Sequence, residues 1–260
     1  MKKVGLICVT RSNSQKLLVT LNSIFRYTSP ELYDLFLVDN GSNDETLNIY
    51  SLPLPENITI IRSNKNLNWV GGINLGITLT EGYEYLGFLN DDIEVSPNWL
   101  LNLIDLLDSN VDLGAVGPLT SNTRDWQGYE RVRETFADLN LPTLDHISRN
   151  HVLEMYSAIQ ENISGLKVVG MLAFFCTLIR RKVVEKIGLL DPAFSELFLG
   201  DDDDYCRRMQ AAGFGLAISL RTYVWHASGS SSLNIADFER RQKMASDLLL
   251  KKQNIGLQSP

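Results

Sequence analysis

Short unbroken apolar runs punctuate the first half of the chain at Val4–Val9, Leu35–Val38, Ile58–Ile61 and Tyr85–Leu89, with helical periodicity between them near residues 14–27, 43–51 and 72–81. Runs of this length read as strands buried on both faces, and their alternation with helices predicts βαβ units, a parallel sheet and right-handed crossovers. Ser96 and Pro97 carry the signature of a helix start, a capping hydroxyl followed by proline at the first position, and Leu100, Leu103, Ile104 and Leu107 then recur on one face that would cover the sheet. Past Gly114–Pro118 the pattern loosens. Residues 120–165 are polar and weakly periodic, hold His146 and His151, and predict an insertion over a site. Regularity returns with the apolar run Met171–Ile179, a short helix through Ile187, and the turn Leu190-Asp191-Pro192. A helix then starts in Asp201–Asp204 and ends before Gly213, and a last strand runs from Phe214 to Trp225 and arrives at His226. Ala236 to Lys252 is helical by composition and carries Arg240, Arg241, Lys243, Lys251 and Lys252, the pattern of a solvated amphipathic helix.

A chain of 260 residues with 44% hydrophobic content can bury one large core, so a single domain is expected. The formal net charge of -7 argues against general affinity for nucleic acid or anionic lipid. Cys8, Cys176 and Cys206 lie in apolar or helical runs without metal-ligand spacing, which reads as packing in a reduced, cytoplasmic chain. No run of about 18 apolar residues is present, so neither a signal peptide nor an integral span is expected, and membrane contact would be peripheral, at the inner face.

Two acidic clusters carry the candidate chemistry. Asn90-Asp91-Asp92 stands where a buried strand runs out at its carboxyl end, the usual ligand crevice of an open α/β sheet. Carboxylates there suit Mg²⁺ or Mn²⁺ whose remaining ligands are phosphate oxygens, although Asn-Asp-Asp is equally good turn chemistry. In Asp201–Asp204, successive helical positions point about 100° apart, so at most two carboxylates can face one site. Capping of a helix amino terminus explains the cluster as well as catalysis does, but the apolar lead-in Leu197-Phe198-Leu199-Gly200 would desolvate a carboxylate and raise its pKa toward that of a base. His226, at a strand end, is either a third metal ligand or a structural residue.

Four segments, taken in order, resemble glycosyltransferase family 2 enzymes of GT-A fold: Val38-Asp39-Asn40-Gly41-Ser42-Asn43-Asp44; Asn64-Lys65-Asn66 with Gly71-Gly72-Ile73-Asn74-Leu75-Gly76; Leu89-Asn90-Asp91-Asp92; and Gly200-Asp201-Asp202-Asp203-Asp204-Tyr205-Cys206-Arg207-Arg208. The resemblance runs from about Val4 to Ser230. It implies a Rossmann-like, mixed but mostly parallel central sheet flanked by helices. The nucleotide-sugar-binding half would be residues 1–118, the acceptor-side half 119–230, and a helical tail 231–260. It further implies a nucleotide-sugar donor, Mn²⁺ or Mg²⁺, and inversion at the anomeric carbon by a hexosyltransferase-type enzyme.

Position by position, Thr10, Arg11 and Asn13 fall where the family lines the nucleotide pocket. Asp39 matches the carboxylate that accepts from a uracil or thymine N3–H, and Asn66, Trp69, Gly72 and Asn74 flank base and ribose, the glycines allowing close backbone approach. Asn90 and Asp91 would lie near the ribose and donor, Asp92 would bind the metal, and His226 matches the histidine that completes the metal site. Asp202 takes the place of the catalytic base. Asp201 replaces the family's usual glutamate, which leaves the choice of base between the two open. The acceptor would be a glycan, lipid-linked or small-molecule hydroxyl. The competing expectations are an inactive nucleotide-sugar or glycan-binding module of the same fold, and a sugar nucleotidylyltransferase, which the absence of a Gly-rich basic loop after the first strand disfavours. The glycines at 71, 72 and 76 also lack the dinucleotide-binding spacing of a dehydrogenase.

Overall fold

A computed structural model describes residues 3–120, 127–135, 152–162, 165–227 and 235–256; His146, His151 and Ser228–Ser230 lie outside them. The four predicted strands form at Val4–Thr10 (β1), Tyr33–Asp39 (β2), Ile58–Arg62 (β3) and Tyr85–Asn90 (β4), joined through helices at Ser14–Tyr27 (α1), Thr46–Ile49 (α2) and Asn68–Leu79 (α3). The helix expected over 43–51 shrinks to one turn, because the Asp44 side chain accepts from the Thr46 N–H at 3.1 Å and holds a turn instead. α3 begins four residues earlier than its periodicity indicates. The Asn40 side chain accepts from Leu67 N–H at 2.7 Å and donates to Asn68 O at 2.9 Å, so a tertiary contact from the end of β2 anchors the backbone where the helix begins.

Beyond β4 come Ile93–Val95 (β5), Trp99–Ser109 (α4), Leu113–Leu119 (β6), Tyr129–Thr135 (α5), Val152–Asn162 (α6), Leu166–Val169 (β7), Cys176–Arg180 (β8), Arg181–Ile187 (α7), Asp201–Ala211 (α8), Gly215–His226 (β9) and Ile235–Gly256 (α9). α4 does not use the Ser96–Pro97 start. It opens at Trp99 after a left-handed Asn98 at φ 59°, and the buried Trp99 indole, donating to Thr28 Oγ1 at 2.8 Å, fixes where the helix begins.

Among the described residues the strands form one mixed sheet of order β3-β2-β1-β4-β8-β6-β9-β5, with β7 also paired to β9. β3, β2, β1 and β4 are mutually parallel, as the βαβ pattern requires, whereas β8 runs antiparallel to both β4 and β6. Only the second half of the apolar run Met171–Ile179 is therefore strand; its first half crosses the carboxyl end of β4 as a turn, where Phe175 O accepts from Asn90 N–H at 2.8 Å.

Alternation along β1 divides the core. Val4, Leu6 and Cys8 face α1 and α4 on one side of the sheet, and Ile7 and Val9 face α3 and α8 on the other. Gly72 and Gly76 let α3 lie directly on β1: a Cβ at Gly72 would fall 2.7 Å from Val9 Cγ1, and one at Gly76 2.3 Å from Ile7 Cγ2. Gly72 thus serves helix-on-strand packing.

The described part of 120–165 is not uniformly polar surface, since Tyr129, Val132, Val152, Met155 and Ile159 are buried in the main core. α9 is amphipathic as expected, with most of its described residues exposed and one face packed on the domain. Ala245 packs with Phe194 and Leu197, Lys252 pairs with Asp191 at 2.6 Å and with buried Asp204, and Arg241 lies over the Phe198 ring. All three cysteines are buried and unpaired, as their settings indicate. No helix among the described residues is long and apolar enough to cross a membrane.

Candidate active site

Parallel register brings the candidate residues together at one sheet edge. Thr10 pairs with Asp39 across β1 and β2, and Val9 with Asn90 across β1 and β4, so the carboxyl ends of three strands meet where the strand order reverses. Asp91 turns back toward β1. It accepts from Thr10 Oγ1 at 2.7 Å and Asn13 Nδ2 at 3.0 Å, while burial pushes its carboxyl up to about 6. Arg11 is exposed on the same loop.

Asp39 is fully buried. Its Oδ1 accepts from Ser42 N–H at 2.8 Å, and Arg62 Nε comes within 3.3 Å of Oδ2 without hydrogen-bond geometry, so Oδ2 is left with no hydrogen-bond donor. Oδ2 is thus ion-paired, with the Tyr50 hydroxyl also near the carboxylate, and it retains capacity to accept a hydrogen bond. Asn66 is exposed, its amide exchanging hydrogen bonds with Asn68; Trp69 packs its ring against Phe174, with its buried Nε1 unbonded. Asn74 exchanges two hydrogen bonds with the backbone of Leu190, at 2.9 and 3.0 Å, and so ties α3 to the loop that leads toward α8.

Asp92 is buried, with Oδ1 3.3 Å from His226 Nε2 and Oδ2 3.7 Å from Lys16 Nζ. The antiparallel pairing of Ile93 with His226 makes this meeting possible. Asn90 Nδ2 is 3.1 Å from the same Nε2, and the Phe175 ring stacks on the imidazole at 4.8 Å with the planes 8° apart. Nε2 either donates to Asp92 or, in the other tautomer, accepts from the Asn90 amide, and a cation bound there would take the place of that hydrogen on the Nε2 lone pair. Neighbouring ligands on an octahedral Mg²⁺ at about 2.1 Å stand about 3 Å apart, so the Asp92–His226 pair fits one ion. Among the described residues no group of three or more His, Cys, Asp or Glu side chains gathers as a metal cage, so phosphate and water oxygens would fill the remaining positions.

Asp201 to Asp204 form the first turn of α8, entered through Gly200 at φ 86°, a left-handed conformation that glycine adopts without strain. The four have different environments. Asp204 is buried and structural, held by Arg208 at 2.7 Å and by Lys252. Asp202 lines a cavity of about 560 Å³; burial and then its neighbours Asp201 and Asp203 hold its carboxyl well above the usual range. Burial raises Asp201 to about 6.

The two acidic clusters converge on one short segment. Ala173 lines the cavity with Asp202, Phe174 packs edge-on against Tyr205 at 6.0 Å, and Phe175 stacks on the histidine beside Asp92. Residues 173–175 thus link the Asp202 cavity to the Asp92–His226 pair.

The family model described as Glycosyl transferase family 2 matches residues 6–188. The chain belongs to that family. A curated relative, the uncharacterized protein y4gI of Sinorhizobium fredii, is 24% identical over 241 residues, 88% of this chain and 25% of its own length. Among solved structures, GalNAc-T7 with UDP, GalNAc and Mn²⁺ superimposes with a TM-score of 0.65 at 15% identity, over 94% of this chain and 48% of its own. Mannosyltransferase PcManGT from Pyrobaculum calidifontis, in complex with GDP-Man and Mn²⁺, gives 0.63 at 14%, over 88% and 58%. The family 2 chain therefore has the GT-A fold, and it spans a quarter to three fifths of the length of these proteins. The family match ends at residue 188, ahead of α8 and of His226.

Several side chains in the site went unnoticed in the sequence. Lys16, Arg62 and Phe175 touch Asp92, Asp39 and His226 respectively. Arg62 faces Asp39 only through the register of β2 with β3, and Phe175 was hidden inside an apolar run. Lys16 offered a faint signal, a cation in the first turn of the helix that follows β1.

Proposed function

We propose that this family 2 chain transfers a sugar from a UDP- or dTDP-linked donor to an acceptor hydroxyl, with inversion. The observation that carries this reading is the convergence of the Asp92–His226 pair and of Asp202 on residues 173–175, which sets a carboxylate–imidazole pair and a separate carboxylate against one short segment. Support for a uracil or thymine base comes from Asp39 Oδ2, a buried acceptor that is ion-paired with Arg62 but accepts no well-formed hydrogen bond. Cytosine presents an acceptor at N3 and would be repelled there.

Asp92 and His226 would hold Mn²⁺ or Mg²⁺, which supplies charge neutralisation to a departing diphosphate. Thr10 and Asn13 fix Asp91 so that its carboxylate keeps one orientation beside the crevice. Asp202 takes the acceptor proton onto a carboxyl oxygen as the hydroxyl attacks the face of the sugar opposite the leaving group. A carboxyl raised by burial is a stronger base than an exposed one, and general-base assistance is worth about 10²–10⁴ in rate. The Mn²⁺ carried by the GT-A neighbours agrees with this chemistry.

The test is nucleotide binding followed by turnover. UDP and UDP-sugars should raise the melting temperature with Mn²⁺ and not with EDTA, and UDP-sugar should be hydrolysed slowly without acceptor. Binding without any donor cleavage would instead identify an inactive module of the same fold. Failure of all uridine and thymidine diphosphates to bind would overturn the donor assignment.

A further inference from the structure

The cavity on Asp202 is walled on its far side by α9. Gln242, Ser246, Leu249 and Gln253 line it at helical spacing on one stripe, with Ala245 and Leu250 beside them, and Leu199 and Ala173 opposite. That wall is fixed in place. A Cβ at Gly200 would lie 3.1 Å from the Phe194 ring and 3.2 Å from Ala245 Cβ, so the helix sits hard against the turn that launches α8, and Lys252 ties it to Asp204 two residues after the base.

The lining has a definite chemical character. Amide and hydroxyl groups from Gln242, Ser246 and Gln253 alternate with the apolar surfaces of Ala173, Leu199, Ala245 and Leu249. A pyranose has the same duality, hydroxyls around its edge and C–H groups on its faces. Charge narrows the choice. The lining offers two carboxyl groups, Asp202 and Asp203, against one cation, Arg207, so it has no surplus of positive charge to draw in a phosphate or carboxylate. The volume of about 560 Å³ lies within the roughly 300–1,000 Å³ of small-molecule sites. Gln242, Ser246 and Gln253 are exposed at the mouth, so a longer chain attached to the bound sugar can leave through it.

We propose that this cavity is the acceptor subsite, that it takes the end of a neutral saccharide, and that the polar stripe of α9 binds it. The role of Asp202 as base is taken from the transferase assignment above; saccharide binding is measurable without turnover.

Saturation-transfer NMR on the full chain provides the test, with methyl glycosides of glucose, galactose, mannose and N-acetylglucosamine, and with cellobiose and lactose. Glucose 1-phosphate and galacturonate serve as anionic comparators. At least one neutral saccharide should show transfer and both anions should show less. Ser246→Trp, at an exposed position that fills the cavity, should lower that signal about tenfold while the UDP–Mn²⁺ melting shift stays as in the wild type. Gln242→Ala with Gln253→Ala, which removes polar groups without adding bulk, should also weaken it and guards against misfolding of the tryptophan variant. The absence of binding by every neutral saccharide, stronger binding by the anions, or an undiminished signal in both variants overturns the proposal. Saccharide binding that these variants abolish in a chain that neither binds nor cleaves any nucleotide sugar upholds the subsite and overturns the transferase assignment alone.

Discussion

Asp92 Oδ1 and His226 Nε2 stand 3.3 Å apart because β5 and β9 pair antiparallel just beyond the end of β4. Two donors at this spacing bind a divalent ion weakly until phosphate oxygens complete the shell, so metal and nucleotide should bind cooperatively. Asp92→Ala and His226→Ala should each abolish the extra melting shift that UDP produces with Mn²⁺. Phe175→Ala removes the ring that orients His226 and should cost about 10–100-fold in Mn²⁺ affinity, read by Mn²⁺ electron paramagnetic resonance titration in the presence of UDP. Unchanged affinity in Asp92→Ala would place the ion elsewhere.

Asp202→Asn should lower transfer by about 10²–10⁴ while leaving UDP–Mn²⁺ binding within about twofold. In the wild type kcat/KM should fall toward acid, with the midpoint above the ordinary carboxylate range because burial raises Asp202. A midpoint near that of a free aspartate would argue against the assignment.

Asp202→Asn should also make the protein more stable above neutral pH. The folded state keeps the Asp202 proton that the unfolded chain has already lost, so wild-type stability declines as pH rises from the unfolded to the folded pKa and stays reduced beyond it. Asparagine removes that penalty. The gain over wild type should be at least about 1 kcal/mol at pH 8 and absent at pH 4, from urea unfolding in EDTA. Equal differences at both pH values would show that the carboxyl is not destabilised by burial.

Asp39→Asn should exchange base preference. The amide oxygen can keep the Ser42 N–H while the amide nitrogen replaces Oδ2, a donor where an acceptor stood. UDP affinity should drop by about 10–100-fold, the worth of a hydrogen bond to a charged group, and CDP affinity should rise. Calorimetric titration with both nucleotides distinguishes this from a general loss of binding.

Gly72→Ala should destabilise the fold by about 1–3 kcal/mol through collision with Val9, and Val9→Ala should recover part of that loss in the double variant. A Gly72→Ala protein of normal stability with impaired UDP binding would assign the residue to the ligand instead.

Much of this architecture is legible in the sequence because strands buried on both faces carry a local signal. β1 to β4 and the helices α1 and α3 follow from apolar runs and periodicity alone. The antiparallel β8 does not, since the direction of a strand is settled by its neighbours; nor does the start of α3, which depends on Asn40. Segment 120–165 misleads for a related reason. Its polar average hides Tyr129, Met155 and Ile159, whose burial only the fold reveals. The acidic clusters are legible as chemistry, but their partnership follows only from the family resemblance, because their meeting depends on residues 173–175, which look like ordinary core.

The reversed direction of β8 means that it contributes its leading turn to the rim where its parallel neighbours contribute their trailing ones. Chain inserted ahead of Ala173 would reshape the mouth of the Asp202 cavity without shifting the register of β1, β2 or β4. A lineage could in this way alter what enters there while the first four strands stayed as they were.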